Sequence, residues 1–312
     1  MRYRLVTRSD FDGLVCAVLL RHLDIIDDIT FVHPKDVQDG VVDITDRDIL
    51  TNLPYAPAAH LVFDHHHSET LRTSGTATNH VIDAAAPSAA RVVYEYYGGA
   101  AAFPGVSAEL MAAVDQADSA DYAIADIWEP EGWALLNFLM DSRTGLGRFR
   151  DFRISNYQLM MQLIDVVSRH SDVQEILALP DVAERVALFE EQTALFVEQL
   201  KRVSTLSGDV VIVDYRDEEV IHAGNRFMVY ALFPQARVSV HVLWGRAKQN
   251  TVLAVGRSIL DRSSPVDIGA VMLAHGGGGH EAAGTCQIAH ADAERVLAEV
   301  VGAVGSGHSL AA

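Results

Sequence analysis

Residues 61–69 read LVFDHHHSE, and the fold that we expect is decided by this stretch. The apolar run Leu61–Asp64 is typical of a short buried strand, and it stops abruptly at the polar side chains of Asp64, His65 and His66. Carboxylate and imidazole groups side by side are good ligands for Mn²⁺, and also for Zn²⁺ or Fe²⁺. An exposed histidine cluster is the alternative interpretation of this segment taken alone. The polar run continues through His67, Ser68 and Glu69.

A second pair of acids follows the first predicted strand. The apolar run Tyr3–Thr7 precedes Asp10 and Asp12, and the apolar-rich segment Leu14–Ile26 is long enough for a helix. Another strand is expected over Ile29–His33. This alternation predicts a parallel α/β sheet, in which ligands bind beyond the carboxyl ends of the strands. Either acid alone could cap the helix, but both together with the histidine cluster favour a metal site.

A third pair of acids lies in a helical stretch. Asp115 and Asp118 are spaced three residues apart, so they share one face of a helix. Such a pair alone is typical of a solvated helix face. The spacing does not separate the two residues as candidate ligands.

The hydrophobic pattern changes its period near residue 205. Residues 80–204 look mostly helical and end in the long amphipathic stretch Asp181–Val203, whereas β-rich runs follow. We therefore expect a metal-binding α/β domain over 1–180, a connecting helix over 181–204 and a smaller mixed α/β domain over 205–312. The runs that we expect as strands are Val210–Tyr215, Phe227–Phe233, Val238–Trp244, Thr251–Val255 and Thr285–Ile288, and the expected helices are Ile268–Ala274 and Ala291–Val304.

Four consecutive glycines, Gly276–Gly279, precede His280 in the second domain. Glycines leave the backbone N–H groups open to an anion, and the histidine can donate to a phosphate. Arg257 and Ser258, at the end of a predicted strand, add a guanidinium suited to bidentate phosphate contact. The alternatives are a flexible linker for the glycine run and an ordinary surface residue for Arg257. Phe227, Tyr230 and Trp244 could stack on a base, but aromatic residues in β-rich runs are more often part of a core.

Composition and charge narrow the class of protein. Of 312 residues, 49% are hydrophobic and 21% are charged, which is ordinary for a globular chain, and the net charge is −18. Residues 205–312 contribute only −3, and residues 226–262 carry a local charge of +5. The bulk charge disfavours a long nucleic-acid duplex or an anionic membrane as partner. The two cysteines and the absence of a signal-peptide pattern or a membrane span predict a cytoplasmic protein, and a homo-oligomer stays open.

The pairing of Asp64-His65-His66 with Gly277-Gly278-Gly279-His280, in this order, resembles the DHH phosphoesterase superfamily over nearly the whole chain. In that superfamily an N-terminal DHH domain precedes a smaller DHH-associated domain. The resemblance points to the branch of exopolyphosphatase-like proteins and short-oligonucleotide phosphodiesterases. It implies hydrolysis of a short phosphorylated substrate in a cleft between the two domains.

The same resemblance implies the residues of the site. One or two Mn²⁺ ions, with Mg²⁺ or another divalent ion as a substitute, would be held by acids and a histidine of the first domain. His66 would act beside Asp64 and His65 in catalysis, and the second domain would bind the substrate. The implied metal ligands are Asp10, Asp12, Asp64, His65 and either Asp115 or Asp118, and the implied substrate contacts are Arg257, Ser258, Gly277, Gly278, Gly279 and His280.

Two departures from the superfamily pattern keep other functions open. The superfamily has a histidine shortly before its first acids, where this chain has Arg8, and an aspartate where the best match here is Asn52. Oligonucleotides, dinucleotides and nucleoside bisphosphates all fit the expected site. The alternatives are an exopolyphosphatase that acts on inorganic polyphosphate and a non-catalytic nucleotide-binding protein with a degraded metal site.

Overall fold

The computed structural model describes residues 2–66, 69–70, 77–170 and 172–305. His67 and Ser68 of the predicted polar run lie outside this part. The described residues form two compact units. The first comprises Met1–Asp121, Pro130–Ser142 and Leu146–Ala187, and the second comprises Tyr122–Glu129, Arg143–Gly145 and Leu188–Ala312.

The first unit is built on a parallel sheet with the strand order β2-β1-β3-β4-β5. The fold class predicted for this part of the chain is therefore confirmed. Its strands are β1 (Tyr3–Thr7), β2 (Ile26–Phe31), β3 (Asp48–Thr51), β4 (Leu61–Asp64) and β5 (His80–Ile82). Its helices are α1 (Phe11–His22), α2 (Pro34–Gln38), α3 (Ala89–Tyr96), α4 (Ala108–Asp118), α6 (Gly132–Met140), α7 (Asn156–Val167) and α8 (Val173–Leu177). The intervening helix α5 (Ile124–Trp128) belongs to the second unit.

Helix α1 is the centre of the first unit. Every residue from Phe11 to Leu20 is buried, which is typical of a helix that is covered on all sides. The Asp10 side chain accepts a hydrogen bond from the backbone N–H of Gly13 and caps the helix. A side chain at Gly13 would lie 2.0 Å from the carbonyl oxygen of Arg8, so only glycine fits there. The helix ends four residues earlier than predicted because Asp24 takes a left-handed φ of 56°.

The second unit contains a mixed sheet with the order β10-β11-β9-β8-β7-β6, in which only β7 and β8 run parallel. The smaller mixed α/β fold predicted for this part is also confirmed. Its strands are β6 (Ser204–Ser207), β7 (Val210–Asp214), β8 (Val238–Trp244), β9 (Thr251–Arg257), β10 (Gly278–His280) and β11 (Ala283–Ile288). The helices of this part of the chain are α9 (Pro180–Val203), α10 (Met228–Leu232), α11 (Ile268–Ala274) and α12 (Ala293–Val304). Helix α9 begins in the first unit.

Helix α12 contributes its apolar face to the core of the second unit. Its buried residues Ala293, Val296, Val300 and Val304 recur every three to four positions and pack into the same core as Val210 of β7 and the valines of β8. Short 3₁₀ turns complete the described chain at Gly99–Ala101, Ser142–Thr144, Leu146–Arg148, Arg246–Lys248 and His290–Asp292. Among the described residues, no helix is both long enough and apolar enough to cross a membrane.

The prediction of a strand over Phe227–Phe233 is wrong, because this run forms α10. The Asn225 side chain accepts a hydrogen bond from the backbone N–H of Phe227 and starts a helical turn. The Tyr230 hydroxyl then donates to the carbonyl oxygen of Gly256 at 2.8 Å, which fixes the helix against β9. A short apolar run does not distinguish a buried helix from a buried strand by its period. Phe227 and Tyr230 are buried, as expected for core aromatic residues.

Candidate metal centre and phosphate-binding groups

The candidate metal residues lie at the carboxyl ends of the central strands of the first unit. Because β1 pairs with β2 on one side and β3 on the other, the chain reverses its strand order between β1 and β3. Such a switch point is where ligands bind in open α/β sheets. Asp12 follows β1, Asn52 follows β3 and Asp64 is the last residue of β4.

Three side chains converge at this edge of the sheet. Asp12, His65 and Asp118 each place one potential ligand atom within 4.8 Å of the others. The Nε2 atom of His65 lies 2.8 Å from Oδ2 of Asp118, and its Nδ1 atom lies 3.2 Å from the carbonyl oxygen of Ala86. Two carboxylates around one imidazole form a donor set suited to a transition-metal dication.

The N-terminus of α3 holds Asp12. The backbone N–H groups of Ala89 and Ala90 donate to its two carboxylate oxygens at 3.1 and 2.8 Å. The positive end of the α3 dipole faces the same carboxylate. The Asp12 side chain is thus fixed in one orientation at the edge of the sheet.

The acids of this cluster repel each other. Burial, together with the charge of Asp118, raises the pKa of Asp12 to about 8. Burial lowers the pKa of His65, but the hydrogen bond that its ring donates to Asp118 and the charges of Asp118 and Asp12 outweigh it and raise that pKa to about 9. A bound divalent cation would offset the negative charge that contributes to both shifts.

Asp64 and Asn52 leave buried polar atoms unpaired. Oδ1 of Asp64 accepts from Nδ1 of His66 at 2.7 Å and from the backbone N–H of His65 at 2.9 Å. Its Oδ2 atom, and both side-chain atoms of Asn52, are buried without a hydrogen-bond partner in the described part of the chain. The backbone N–H of Asn52 donates to the carbonyl oxygen of Phe63, which places the two side chains on neighbouring strand ends. Unpaired buried oxygens beside the Asp12 cluster fit a bound cation.

Arg8 occupies the place of the histidine that the superfamily pattern would put before the first acids. Its Nε atom lies 3.0 Å from Oδ2 of Asp10. Asp10 therefore caps α1 with one oxygen and pairs with a permanent cation through the other. Its predicted role as a metal ligand stays a prediction.

The structure separates Asp115 from Asp118. Asp115 accepts hydrogen bonds from the Ser88 hydroxyl at 2.8 Å and from Nε of Arg91 at 3.0 Å. Asp118, one turn further along α4, is the residue that reaches His65. Of this pair, Asp118 is the one that the geometry favours as a metal ligand.

The glycine run of the second unit is more regular than a loop. Gly278–His280 form β10, an edge strand that pairs with β11. A side chain at Gly279 would lie 2.3 Å from the carbonyl oxygen of Ala283, so this glycine is required by strand packing. A side chain at Gly278 would meet no described atom within 4 Å. An edge strand has a strand partner on one side only, which is the arrangement that could leave backbone groups for an anion.

Arg257 and Ser258 lie at the end of β9, which β11 separates from this edge strand. Arg257 ends β9, and its guanidinium bonds to Oε1 of Glu281 at 3.0 Å and to the carbonyl oxygen of Ser264 at 3.2 Å. The Ser258 hydroxyl accepts hydrogen bonds from the backbone N–H groups of Leu260 and Asp261. Arg257 thus contacts Glu281, the residue that follows the glycine strand, whereas the Ser258 hydroxyl stabilises a turn.

A solved structure with high sequence identity decides the family. The pGpG-specific phosphodiesterase PggH from Vibrio cholerae is 56% identical, with a TM-score of 0.85 over 97% of this chain and 99% of that chain. The chain belongs to the DHH phosphoesterase superfamily. It is accordingly a hydrolytic phosphoesterase.

More distant DHH-like structures share the fold. RecJ from Thermus thermophilus, solved with Mn²⁺, is 16% identical with a TM-score of 0.54, and the match covers 96% of this chain and 51% of RecJ. CDC45 from Entamoeba histolytica is 8% identical with a TM-score of 0.55, and the match covers 97% of this chain and 95% of CDC45. No family model and no curated protein matches the chain.

Some residues around the candidate metal centre of this DHH phosphoesterase were not predicted from the sequence. The Thr51 hydroxyl donates to the Thr7 hydroxyl at 2.8 Å, and both side chains are fully buried at the ends of β3 and β1. Ser88 caps α3, whose first N–H groups hold Asp12. The serine that precedes an apolar helical pattern was the available signal for α3. No sequence signal links that helix to Asp12, because the contact runs through backbone atoms.

Proposed function

We propose that this chain is a divalent-metal-dependent phosphodiesterase that cleaves the single phosphodiester bond of pGpG or a closely similar linear dinucleotide. The observation that carries the proposal is the Asp12–His65–Asp118 cluster in a chain that is 56% identical to a pGpG-specific phosphodiesterase. Inorganic polyphosphate has no comparable support.

The first unit would hold the metal. Asp12, Asp64, His65 and Asp118 are the ligands that we propose, with the side-chain oxygen of Asn52 as an additional donor. Imidazole next to carboxylates favours Mn²⁺ over Mg²⁺, which prefers oxygen ligands alone. When bound, the metal supplies Lewis-acid chemistry: it makes a water nucleophilic near neutral pH and offsets charge on the phosphoryl oxygens.

His66 is the residue that we propose for proton transfer. Its Nδ1 atom is held 2.7 Å from Oδ1 of Asp64, which fixes the orientation and tautomer of the ring. Nε2 would then take up a proton from solvent and give it to the leaving oxygen of the substrate. Asp64 would thus both hold the metal and orient His66.

The second unit would contribute phosphate-binding groups. Arg257 offers a planar guanidinium that Glu281 holds beside the edge strand Gly278–His280. Backbone N–H groups at this edge and the guanidinium are both suited to phosphate oxygens. We propose that these groups bind the terminal phosphate of the dinucleotide.

We also assign the enzyme to the cytoplasm, where its free cysteines Cys16 and Cys286 would stay reduced.

The test is hydrolysis of pGpG by protein that has been stripped of metal and reloaded with Mn²⁺. We expect activity with Mn²⁺, none in excess EDTA, and slower turnover of a dinucleotide without the 5′-phosphate or of polyphosphate. Asp118→Asn should lose roughly a hundredfold or more in kcat/KM, because it removes a ligand charge. Asp121→Asn, an exposed acid three residues away, is the matched control and should keep full activity.

Equal activity of the two variants would show that Asp118 is not a metal ligand. Turnover of polyphosphate faster than of pGpG would show that the dinucleotide is not the substrate. Bound Mn²⁺ should be measured alongside activity in each variant. A chain that binds Mn²⁺ but cleaves none of these compounds would contradict the proposed activity without contradicting the metal site.

A further inference from the structure

A cavity of about 320 Å³ lies in the first unit, at the ends of the helices opposite to the metal cluster. It is bounded by the last turn of α1, the first turn of α4 and the end of α7. Asp12 and Arg21 stand near the two ends of α1, nine residues or about 14 Å apart. The volume lies within the range of sites for small ligands. The cavity is therefore distinct from the candidate metal centre.

The wall of this cavity is basic in a strongly acidic protein. Its described lining residues include Arg21, His22, Arg169 and His170 but neither aspartate nor glutamate, although the chain carries a net charge of −18. Arg21 pairs with the carboxylate of Asp165, and Nε of Arg169 donates to the carbonyl oxygen of the same residue at 3.1 Å. One residue of α7 thus fixes both arginines on the same wall. Guanidinium groups in fixed positions are suited to phosphate.

The remaining wall adds a helix start and an aromatic surface. Ser107 caps the eleven-residue helix α4, and its hydroxyl accepts from the N–H of Leu110, so its own proton can be donated. Trp133 is 6% exposed, and its Nε1 atom has no hydrogen-bond partner among the described residues. Valine and leucine side chains line the cavity next to the indole. This surface suits the apolar or planar part of a ligand.

We propose that this cavity is a second binding site, separate from the metal centre, for a small organic phosphate of about the size of a mononucleotide. The arginines and the start of α4 would bind the phosphate, and the indole surface would cover the organic part. The proposal does not rest on the substrate proposed above, because it uses none of the same residues.

The test is binding of GMP and inorganic phosphate to metal-free protein in EDTA, measured by isothermal titration calorimetry. All variants carry Arg257→Ala, so that the phosphate-binding groups of the second unit do not contribute. We expect one GMP per chain, bound at least about tenfold more tightly than inorganic phosphate. Arg169→Glu should weaken GMP binding by roughly tenfold or more. Arg295→Glu, at an exposed arginine of α12, is the matched control and should leave it unchanged.

Three results would overturn the proposal. The first is that GMP shows no saturable binding up to about 10 mM. The second is that the Arg169→Glu and Arg295→Glu variants bind GMP equally well. The third is that the protein binds GMP and inorganic phosphate with equal affinity, which would exclude an organic ligand. Thermal melting verifies that each variant is folded. Arg169→Ala serves as the second variant, because among the described residues the exposed side chain is held only through Nε to a backbone oxygen.

Discussion

Asn52 is the residue whose chemistry most distinguishes this site. It stands at the end of β3 with a left-handed φ of 55°, is 1% exposed, and has no hydrogen-bond partner for its amide within the described chain. The side-chain amide is neutral, so as a ligand Asn52 would add a donor oxygen beside Asp12, Asp64 and Asp118 without adding a fourth negative charge. The protein can therefore fold around this cluster without the full repulsion that another acid would bring.

Asn52→Asp should make the metal-free protein less stable and should raise its affinity for metal. We expect the variant to lose about 3 kcal/mol without metal, because it buries another carboxylate beside Asp64. Added Mn²⁺ should restore most of this loss, so the rise in melting temperature on adding Mn²⁺ should exceed that of the unchanged protein. Thermal unfolding with and without Mn²⁺ measures both effects.

Asn225→Asp is the matched control, since Asn225 is equally buried in the second unit and its Nδ2 atom is also unpaired among the described residues. It should be destabilised without recovery by Mn²⁺. If Mn²⁺ restores both variants equally, Asn52 does not lie at a metal site.

Among the elements, β1 and β3 carry the switch point on which the site is built. Arg4 and Asp48 face each other across these strands, with Nε and Oδ1 2.7 Å apart. Burial alone would raise the pKa of Asp48, but the hydrogen bond from Arg4 and those from Thr45 outweigh it and hold this pKa below its ordinary value of 3.8. This pair therefore ties together the two strands that flank the candidate metal centre.

Asp48→Asn should lower the free energy of unfolding by about 2 kcal/mol at pH 7. A carboxyl with a lowered folded-state pKa stabilises the protein above its ordinary pKa and ceases to do so as the pH falls through the folded value. The difference between the two proteins should thus be constant above about pH 5 and shrink below about pH 4. Urea unfolding across this pH range is the measurement.

Asp39→Asn, which breaks the exposed Lys35–Asp39 pair on α2, should change stability by less than about 0.5 kcal/mol at any of these pH values. A pH-independent loss in Asp48→Asn would mean that packing, not charge, accounts for its contribution.

The sequence predicted long or strongly apolar elements better than a short strand with polar ends. Helix α9 and strands β1 and β4 are confirmed, because long or strongly apolar patterns leave few alternatives. Strand β3, with only Asp48–Thr51, was not predicted, although it carries Asn52 at its end.

The candidate site could be predicted only in part. The motif around Asp64 and His65 was visible, and the structure brings His65 to Asp12. Spacing could not separate Asp115 from Asp118, because residues three apart share a helix face. The folded positions of Arg91, which holds Asp115, and of His65, which contacts Asp118, decide between them. The hydrogen bonds that hold Asp12 come from backbone N–H groups, so they could not be predicted from the side chains of the donor residues.

On the scale of the whole molecule, the charge distribution selects the class of ligand. The net charge of −18 lies mainly in residues 1–204, whereas residues 226–262 carry +5. A long duplex contacts a wide surface and would meet mostly negative charge, but a dinucleotide needs only a few basic groups.

Duplex DNA of about 30 base pairs should therefore not inhibit pGpG hydrolysis at physiological salt, even at concentrations of about 10 µM. A short competitor such as a non-hydrolysable dinucleotide should inhibit under the same conditions. Inhibition assays that compare the two at several salt concentrations measure this. Strong inhibition by the duplex that weakens steeply with salt would contradict the expectation.

The path of the chain between the two units limits how this protein can be divided. The chain passes from one unit to the other five times, because Tyr122–Glu129 and Arg143–Gly145 belong to the second unit. Tyr122 packs against Phe227, and the carbonyl oxygen of Thr144 accepts from the N–H of Gly224. When a ribosome has synthesised the first 187 residues, segments 122–129 and 143–145 are therefore complete, but the part of the second unit that they contact is not yet made. For the same reason, a single genetic crossover near residue 187 would not transplant either unit intact into another gene.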